Sequence, residues 1–197
     1  MEQEIRKLEN EISIASGSTR NVEGYALLFN SLSTDLGGFV EKIDPNALDG
    51  VIEKSDVFAT LDHNKEKGVL ARSKFGKGTL QLTVDERGLK YNFEAPQTAV
   101  GDETIEMIKR GDITASSFAF TVAGDDWQLQ PDGSYVRTIL QIDRLYDVSP
   151  VFQPAYEQTS VNLKRFAEIQ EENKKILEEQ RQKELEEYYK ELEKEIQ

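Results

Sequence analysis

Glu106-Met107-Ile108-Lys109-Arg110-Gly111-Asp112-Ile113-Thr114-Ala115-Ser116-Ser117-Phe118-Ala119-Phe120 is the stretch from which the rest of the chain can be read. It predicts a helix that stops at Gly111 and passes into a strand carrying two serines. Glycine commonly follows a helix end because it takes the left-handed conformation cheaply. From Ile113 onward, β-branched and aromatic residues favour extended chain. Alternate side chains along a strand face opposite sides, so Ser116, Phe118 and Phe120 share one face and Ala115, Ser117 and Ala119 the other. The phenylalanines mark the core side. Ser117 is then expected on a face kept small by two alanines, where another backbone can lie close. A strand serine carries no chemistry by itself, so partners have to be sought elsewhere.

Composition narrows that search. The chain has 197 residues, enough for one ordinary domain and an appendage. Its formal net charge of −13 argues against nucleic acid as a direct ligand, because phosphate binding relies on clustered Lys and Arg. With no cysteine, disulfides, thiolate nucleophiles and cysteine-ligated metal sites are excluded within the chain. No apolar run approaches the roughly 18 residues of a membrane span, and no signal-peptide pattern opens the chain. The single histidine, His63, rules out zinc sites built from two or three histidines in one chain. Any histidine-assisted mechanism must use it.

Residues 1–20 read as a charged N-terminal arm, with Met1 to Ile12 a short helix or frayed segment. Asn21 to Phe29 and Gly38 to Ile43 read as strands. Asp44-Pro45 opens a short helix that Gly50 ends. Asp56 to Leu61 is a strand leading into Asp62-His63-Asn64. Val69 to Lys74, Thr79 to Val84 and Leu89 to Glu94 form three strands of a meander, turning at Gly76–Gly78 and at Asp85–Gly88. Thr98 or Asp102 caps the helix that runs to Arg110. A turn at Gln130–Ser134 precedes a long strand from Tyr135 to about Val148. Strands of this kind joined by tight turns predict an α+β domain over residues 21–162, built on a mainly antiparallel β-barrel or sandwich with short flanking helices. Residues 163–197 change character. Phe166 to Gln197 is dense in Glu, Lys, Gln and Leu and reads as one long helix, either solvated or a partner-binding coiled-coil tail, with Leu185, Tyr189, Leu192 and Ile196 on one face.

Among local constellations, Gly76-Lys77-Gly78-Thr79 is not a phosphate loop. Ala71 stands where the leading glycine is required, and no Ser or Thr directly follows the lysine. Asp125, Asp126 and Asp132 resemble turn residues more than ligands of a hard cation. Serine chemistry needs a hydroxyl, a neutral imidazole to take its proton and a group to orient that imidazole. His63 is the only base of that type. Asp62, its neighbour, points to the opposite side in an extended chain and is a poor orienter. Asp147, in Leu145-Tyr146-Asp147-Val148-Ser149, alternates with apolar residues and is a candidate inward-facing carboxylate.

Across roughly Gly24 to Val161 the chain resembles the prohead maturation proteases of tailed bacteriophages, a family distantly similar in fold to the herpesvirus assemblins. The resemblance is carried by Gly24-Tyr25-Ala26, Phe29-Asn30, Gly38-Phe39 and Ile43-Asp44-Pro45-Asn46-Ala47-Leu48. It continues through Leu61-Asp62-His63-Asn64, Val69-Leu70-Ala71-Arg72-Ser73, Gly78-Thr79-Leu80 and Gly88-Leu89. Arg110-Gly111-Asp112-Ile113, Ser117-Phe118-Ala119-Phe120, Asp147-Val148-Ser149-Pro150-Val151 and Pro154-Ala155-Tyr156 complete it. The resemblance implies an assemblin-like barrel and a catalytic pair mapping onto His63 and Ser117. The third member maps onto Asp147, where the family usually shows glutamate. Ala119 and Ala71 replace glycines usual in the family.

The function so implied is a serine endopeptidase without metal or cofactor, acting inside the procapsid in the host cytoplasm. Its expected partners are the major capsid protein, scaffolding protein or a scaffold-like segment, and the protease itself, with self-association through the C-terminal helix and no membrane or nucleic-acid partner. The rival is a non-proteolytic scaffold or assembly protein that keeps the protease-like fold, favoured by the long charged helix.

Overall fold

The structure, a computed structural model, describes residues 3–9, 12–152 and 160–195. Pro154-Ala155-Tyr156 and Ile196 lie outside the described residues, as does the side chain of Leu192. In chain order the first strands are β1 (Glu4–Glu9), β2 (Ile12–Ile14), β3 (Asn21–Leu28) and β4 (Phe39–Ile43). β5 (Asp56–Leu61), β6 (Asn64–Lys74), β7 (Lys77–Gly78), β8 (Gln81–Val84) and β9 (Gly88–Glu94) follow. Helix α1 (Ala99–Arg110) leads into β10 (Ala115–Leu129) and β11 (Tyr135–Val151), and α2 (Ser160–Glu195) ends the chain. The chain divides into two compact units, Met1–Glu157 and Gln158–Gln197.

In the first unit, β10 and β11 pair antiparallel along almost their whole length, from Ala115 opposite Val151 to Leu129 opposite Tyr135. They are the axis of a seven-stranded sheet ordered β1-β10-β11-β5-β6-β7, with β4 also paired to β11. β4 and β5 run parallel to β11, at Phe39–Ile43 and at Phe58 respectively. A four-stranded sheet, ordered β2-β3-β9-β8, is antiparallel throughout. One apolar cluster draws on both sheets, with Leu27, Leu89 and Phe93 from the smaller and Leu61, Phe120, Ile139 and Leu145 from the larger. Phe118 and Phe120 stack at 4.8 Å and face this cluster, the side expected from alternation.

The helix-to-strand transition is built as the sequence implies. Thr98, extended, accepts a hydrogen bond from the Gly101 amide and caps α1. Gly111 ends the helix at φ 79° and its N–H returns to the Ile108 carbonyl. The chain then enters β10 with both faces already buried.

Several expectations are corrected. The N-terminal arm is neither helical nor frayed: Glu4–Glu9 is the edge strand of the large sheet, and Ile12–Ile14 joins the small one. Its Glu-Ile-Arg-Lys-Leu-Glu pattern becomes strand because the partner edge of β10 offers an unpaired ladder, and tertiary pairing overrides weak local preference. The segment after Asp44-Pro45 is a series of turns followed by a short 3₁₀ helix, Ile52–Lys54, not an α-helix. The expected meander is split: β6 belongs to the large sheet, while β8 and β9 belong to the small one. The described strands form two open sheets; closure into a barrel is not found among them.

The second unit is the single helix α2, longer than expected at its start. Leu177, Leu185, Tyr188 and Tyr189 are all more than half exposed along it. Among the described residues no helix is long and apolar enough to cross a membrane.

Because Gly111 is left-handed with nothing within 4 Å of where a Cβ would project, Gly111→Ala meets backbone strain and no clash. Left-handed strain of roughly 1–2 kcal/mol, partly offset by the stiffer unfolded chain, predicts a loss of about 1 kcal/mol in stability. Urea unfolding should show a lowered midpoint with an unchanged slope.

Candidate active site

β10 and β11 place Ser117 directly opposite Ser149, and Ala119 opposite Asp147. Cross-strand partners project to the same face, so Ser117, Ser149 and Asp147 share one side of the large sheet. β5 lies on the other flank of β11 and turns into β6 through only two residues, Asp62 and His63, with Leu61 paired to Asn64. Both turn residues have positive φ, 54° and 58°, the combination a tight two-residue hairpin needs. The Asp62 amide donates to the Pro150 carbonyl at 3.0 Å, fixing the turn against the end of β11.

That turn delivers the histidine. His63 Nε2 lies 2.6 Å from Ser117 Oγ, and His63 Nδ1 lies 2.8 Å from Asp147 Oδ1. Asp147 is 4% exposed, while His63 keeps about a quarter of its side chain open to solvent. With the carboxylate accepting from Nδ1–H, the imidazole is left with Nε2 as an acceptor for the serine proton. Ser149 Oγ donates to Asp147 Oδ1, and Thr60 Oγ1 reaches Oδ2 at 3.4 Å. The Thr60 amide in turn donates to Ser149 Oγ at 2.9 Å, so β5 and β11 hold the carboxylate together. This is the arrangement from which a hydroxyl is activated as a nucleophile: acceptor in place, tautomer fixed, carboxylate desolvated but hydrogen-bonded.

Asp62, adjacent in sequence, holds the turn through its amide while Asp147 supplies the carboxylate at His63 Nδ1, and it sits in a turn, not in the extended chain that alternation assumes. The face carrying Ser117 is also not open. Ser117 has no exposed surface, because β1 pairs antiparallel with β10 and places Lys7 opposite it. Ser117 Oγ lies 2.9 Å from the Arg6 carbonyl as well as 2.6 Å from His63. One hydroxyl proton serves two acceptors, so it goes to one at a time.

Three participants escaped sequence reading. Ser149 lies two residues from Asp147 in a strand and so on the same face, a signal that was present. Thr60 reaches the site through the parallel pairing of β5 with β11, which no local pattern announces. Arg6 arrives through the arm read as helical or frayed. The second serine, Ser116, faces the other way: its Oγ meets Tyr91 Oη at 2.6 Å, both fully buried. Burial pushes the Tyr91 phenol above the usual tyrosine range, against the effect of the Ser116 bond, so it stays protonated and shares one hydrogen bond with Ser116.

The sequence model of the family described as Caudovirus prohead serine protease matches residues 4–175. The fold is similar to that of the bacteriophage T4 capsid assembly protease, gp21, with a TM-score of 0.50 at 9% sequence identity, covering 77% of this chain and 98% of that one. No curated protein matches the chain significantly.

Removing the phenol opposite Ser116 leaves a buried hydroxyl without its partner, which is more damaging than removing both. Tyr91→Phe should lower stability by about 1–3 kcal/mol, and Tyr91→Phe combined with Ser116→Ala should recover much of it. Urea denaturation of the single and double variants measures the coupling.

Proposed function

The chain belongs to the Caudovirus prohead serine protease family, and we propose that it cleaves peptide bonds through Ser117, His63 and Asp147 during capsid maturation. The observation that carries this reading is the single histidine lying 2.6 Å from a buried serine and 2.8 Å from a buried aspartate. Ser117 Oγ attacks the carbonyl carbon of the substrate while its proton passes to His63 Nε2. His63, now a cation held by Asp147, gives that proton to the leaving amine as the C–N bond breaks. An acyl-enzyme on Ser117 remains. Water attacks it, His63 takes the water proton and returns it to Ser117 Oγ, and the acid product departs. Asp147 orients the imidazole and stabilises its charged form. Backbone amides of β10 near Ser117, on the edge that β1 now pairs, are the proposed oxyanion donors once β1 gives up its place.

The substrates that fit the family are the major capsid protein, scaffolding protein or its equivalent segment, and the enzyme itself, met inside the procapsid. In the conformation described, β1 lies on Ser117, so a peptide reaches the nucleophile only after β1 gives up its place. The long helix α2, with its exposed Leu185, Tyr188 and Tyr189, supplies a docking element for scaffold or for a second copy.

Co-expression with the capsid protein tests the central reading. Wild type should yield cleaved capsid or scaffold protein and Ser117→Ala none, seen by intact-mass spectrometry. Identical uncleaved protein with both would instead leave a non-catalytic assembly protein. Asp147→Asn keeps the shape but loses the charge and tautomer control, and should lower kcat by about 10³- to 10⁴-fold. Asp147→Glu, which restores the carboxylate with a longer reach, should retain much more activity.

Deleting residues 168–197 should leave peptide cleavage intact but reduce incorporation into procapsids, measured by quantifying the protease in purified particles. Unchanged incorporation would remove the docking role of α2.

A further inference from the structure

Around β1 the structure holds a charge cluster that the catalytic reading does not use. Glu4, Arg6 and Leu8 alternate on the face of β1 away from Lys7, the residue opposite Ser117. Glu4 is gripped by both terminal nitrogens of Arg137 in β11, at 2.8 and 3.0 Å. Arg6 is gripped by both oxygens of Glu41 in β4, each at 2.9 Å. Leu8 borders a groove with Leu27, Leu32, Ile43 and Phe118. Arg137 also bonds Glu41 at 2.9 Å and Asp125 at 2.8 Å, so it stays anchored without Glu4. Burial opposes the Arg137 charge, but the bond to Glu4 and the charges of Glu41, Glu4 and Asp125 more than offset it and hold its pKa above the usual arginine value.

Two features make this more than a fastening for β1. The residue whose side chain enters the Glu41 fork is the residue whose carbonyl lies 2.9 Å from Ser117 Oγ. The gripping groups sit on core strands and remain when β1 leaves. With β1 in place Glu41 is 3% exposed and Arg137 4%, so a strand that takes the place of β1 buries the same two charges, which favours one that restores the same pairs. A guanidinium fits the two-oxygen fork of Glu41 better than an ammonium does.

We propose that Glu41 and Arg137 read the side chains of any peptide strand that pairs with β10, selecting an acidic residue, any residue and then arginine, with that arginine's carbonyl presented to Ser117. The groove beside Leu8 adds a place for an apolar residue two positions after the arginine. Glu41 and Arg137 are thus specificity residues for the proposed cleavage, on which this inference rests, and the cleaved bond follows the arginine.

The test uses the full chain carrying Glu4→Ala and Arg6→Ala, which removes the side chains that occupy the two subsites, with Ser117→Ala added for binding measurements. Fluorescein-labelled Glu-Ile-Arg-Lys-Leu-Glu is titrated by anisotropy at one ionic strength, beside analogues with the arginine changed to alanine, lysine or glutamate and the first glutamate changed to alanine. The arginine peptide should bind at least about 10-fold more tightly than its alanine and glutamate analogues, with lysine between, as expected for loss of a charged hydrogen-bonded pair. Adding Glu41→Gln should erase the difference, and the chain with its native β1 should bind the same peptide more weakly. Equal binding of all peptides, no binding, or equal binding by the native chain would overturn the subsite assignment, and the peptide series does so without relying on any further protein variant. Restoring Ser117 separates the two readings. Arginine-selective binding with no cleavage overturns the protease reading alone, whereas cleavage without arginine preference overturns the subsites alone.

Discussion

The β10–β11 ladder is the constraint on which the rest depends. It sets Ser117 opposite Ser149 and Ala119 opposite Asp147 before any other strand is considered. A slip of one residue in this register would carry Ser117 to the core side and bring Ser116 or Phe118 to the site. The phenylalanines prevent it: Phe118 and Phe120 are buried in the common apolar cluster, and exchanging them for Ser117 and Ala119 would empty that part of the core. Immediately past Asp147 the ladder bulges, with Ala119 paired to Asp147 and Phe120 to Leu145, so Tyr146 is the extra residue. Bulges bend and twist a sheet where they occur, and this one sits next to the carboxylate.

The buried carboxylate of Asp147 raises a separate energetic problem. Removing an ion from water has an effective cost of several kcal/mol, and each hydrogen bond to a charged group returns roughly 1.5–3 kcal/mol. One bond from His63 does not cover the loss for a carboxylate that is 4% exposed. Ser149 and Thr60 supply the additional donors, and the Thr60 amide fixes Ser149 in turn. The small hydroxyl residues beneath the histidine therefore follow from the burial of Asp147. Burial also spares the His63–Asp147 pair from solvent screening.

The parts of the molecule legible in the sequence are those with local causes. Gly111, the Thr98 cap and the alternation of serine with phenylalanine are written within a few residues, and α1, β10 and the orientation of Ser116 follow from them. Composition limited the base to His63, since there is no other histidine. The parts that were not legible depend on pairing across long separations. β5 parallel to β11 brings Thr60 and His63 to a carboxylate more than 80 residues away, as the 87-residue separation of Thr60 and Asp147 shows. The arm Glu4–Glu9 has an alternating pattern too polar to suggest burial, because two of its inward residues are Glu4 and Arg6, which pair with each other locally but whose further partners Glu41 and Arg137 are far along the chain. A buried ion pair looks like a solvated face until both halves are placed. The tail was readable as helix by composition alone, since low Gly and Pro content and dense Glu and Lys need no tertiary explanation.

The same ion pairs would let an edge strand be held firmly and still exchange with a strand of matching charge, as proposed above. An apolar edge would bind β1 by area alone and would accept any apolar strand, the usual hazard of an exposed sheet edge. Charge imposes a different rule. Losing one partner of a buried pair is worth about 3–5 kcal/mol, so β1 does not fray side chain by side chain, and a strand lacking the matching charges is penalised by a similar amount. A strand carrying the same charges at the same alternation remakes what β1 gave up, and the exchange is then nearly balanced in energy. The main-chain ladder to β10 is equally indifferent to which strand provides it. Discrimination at this edge therefore resides in the two side-chain forks, while the backbone pairing sets where along β10 the carbonyl falls. In the proposed exchange, that division would place Ser117 in register and leave selection to Glu41 and Arg137, on β4 and β11 rather than on the exchanged strand.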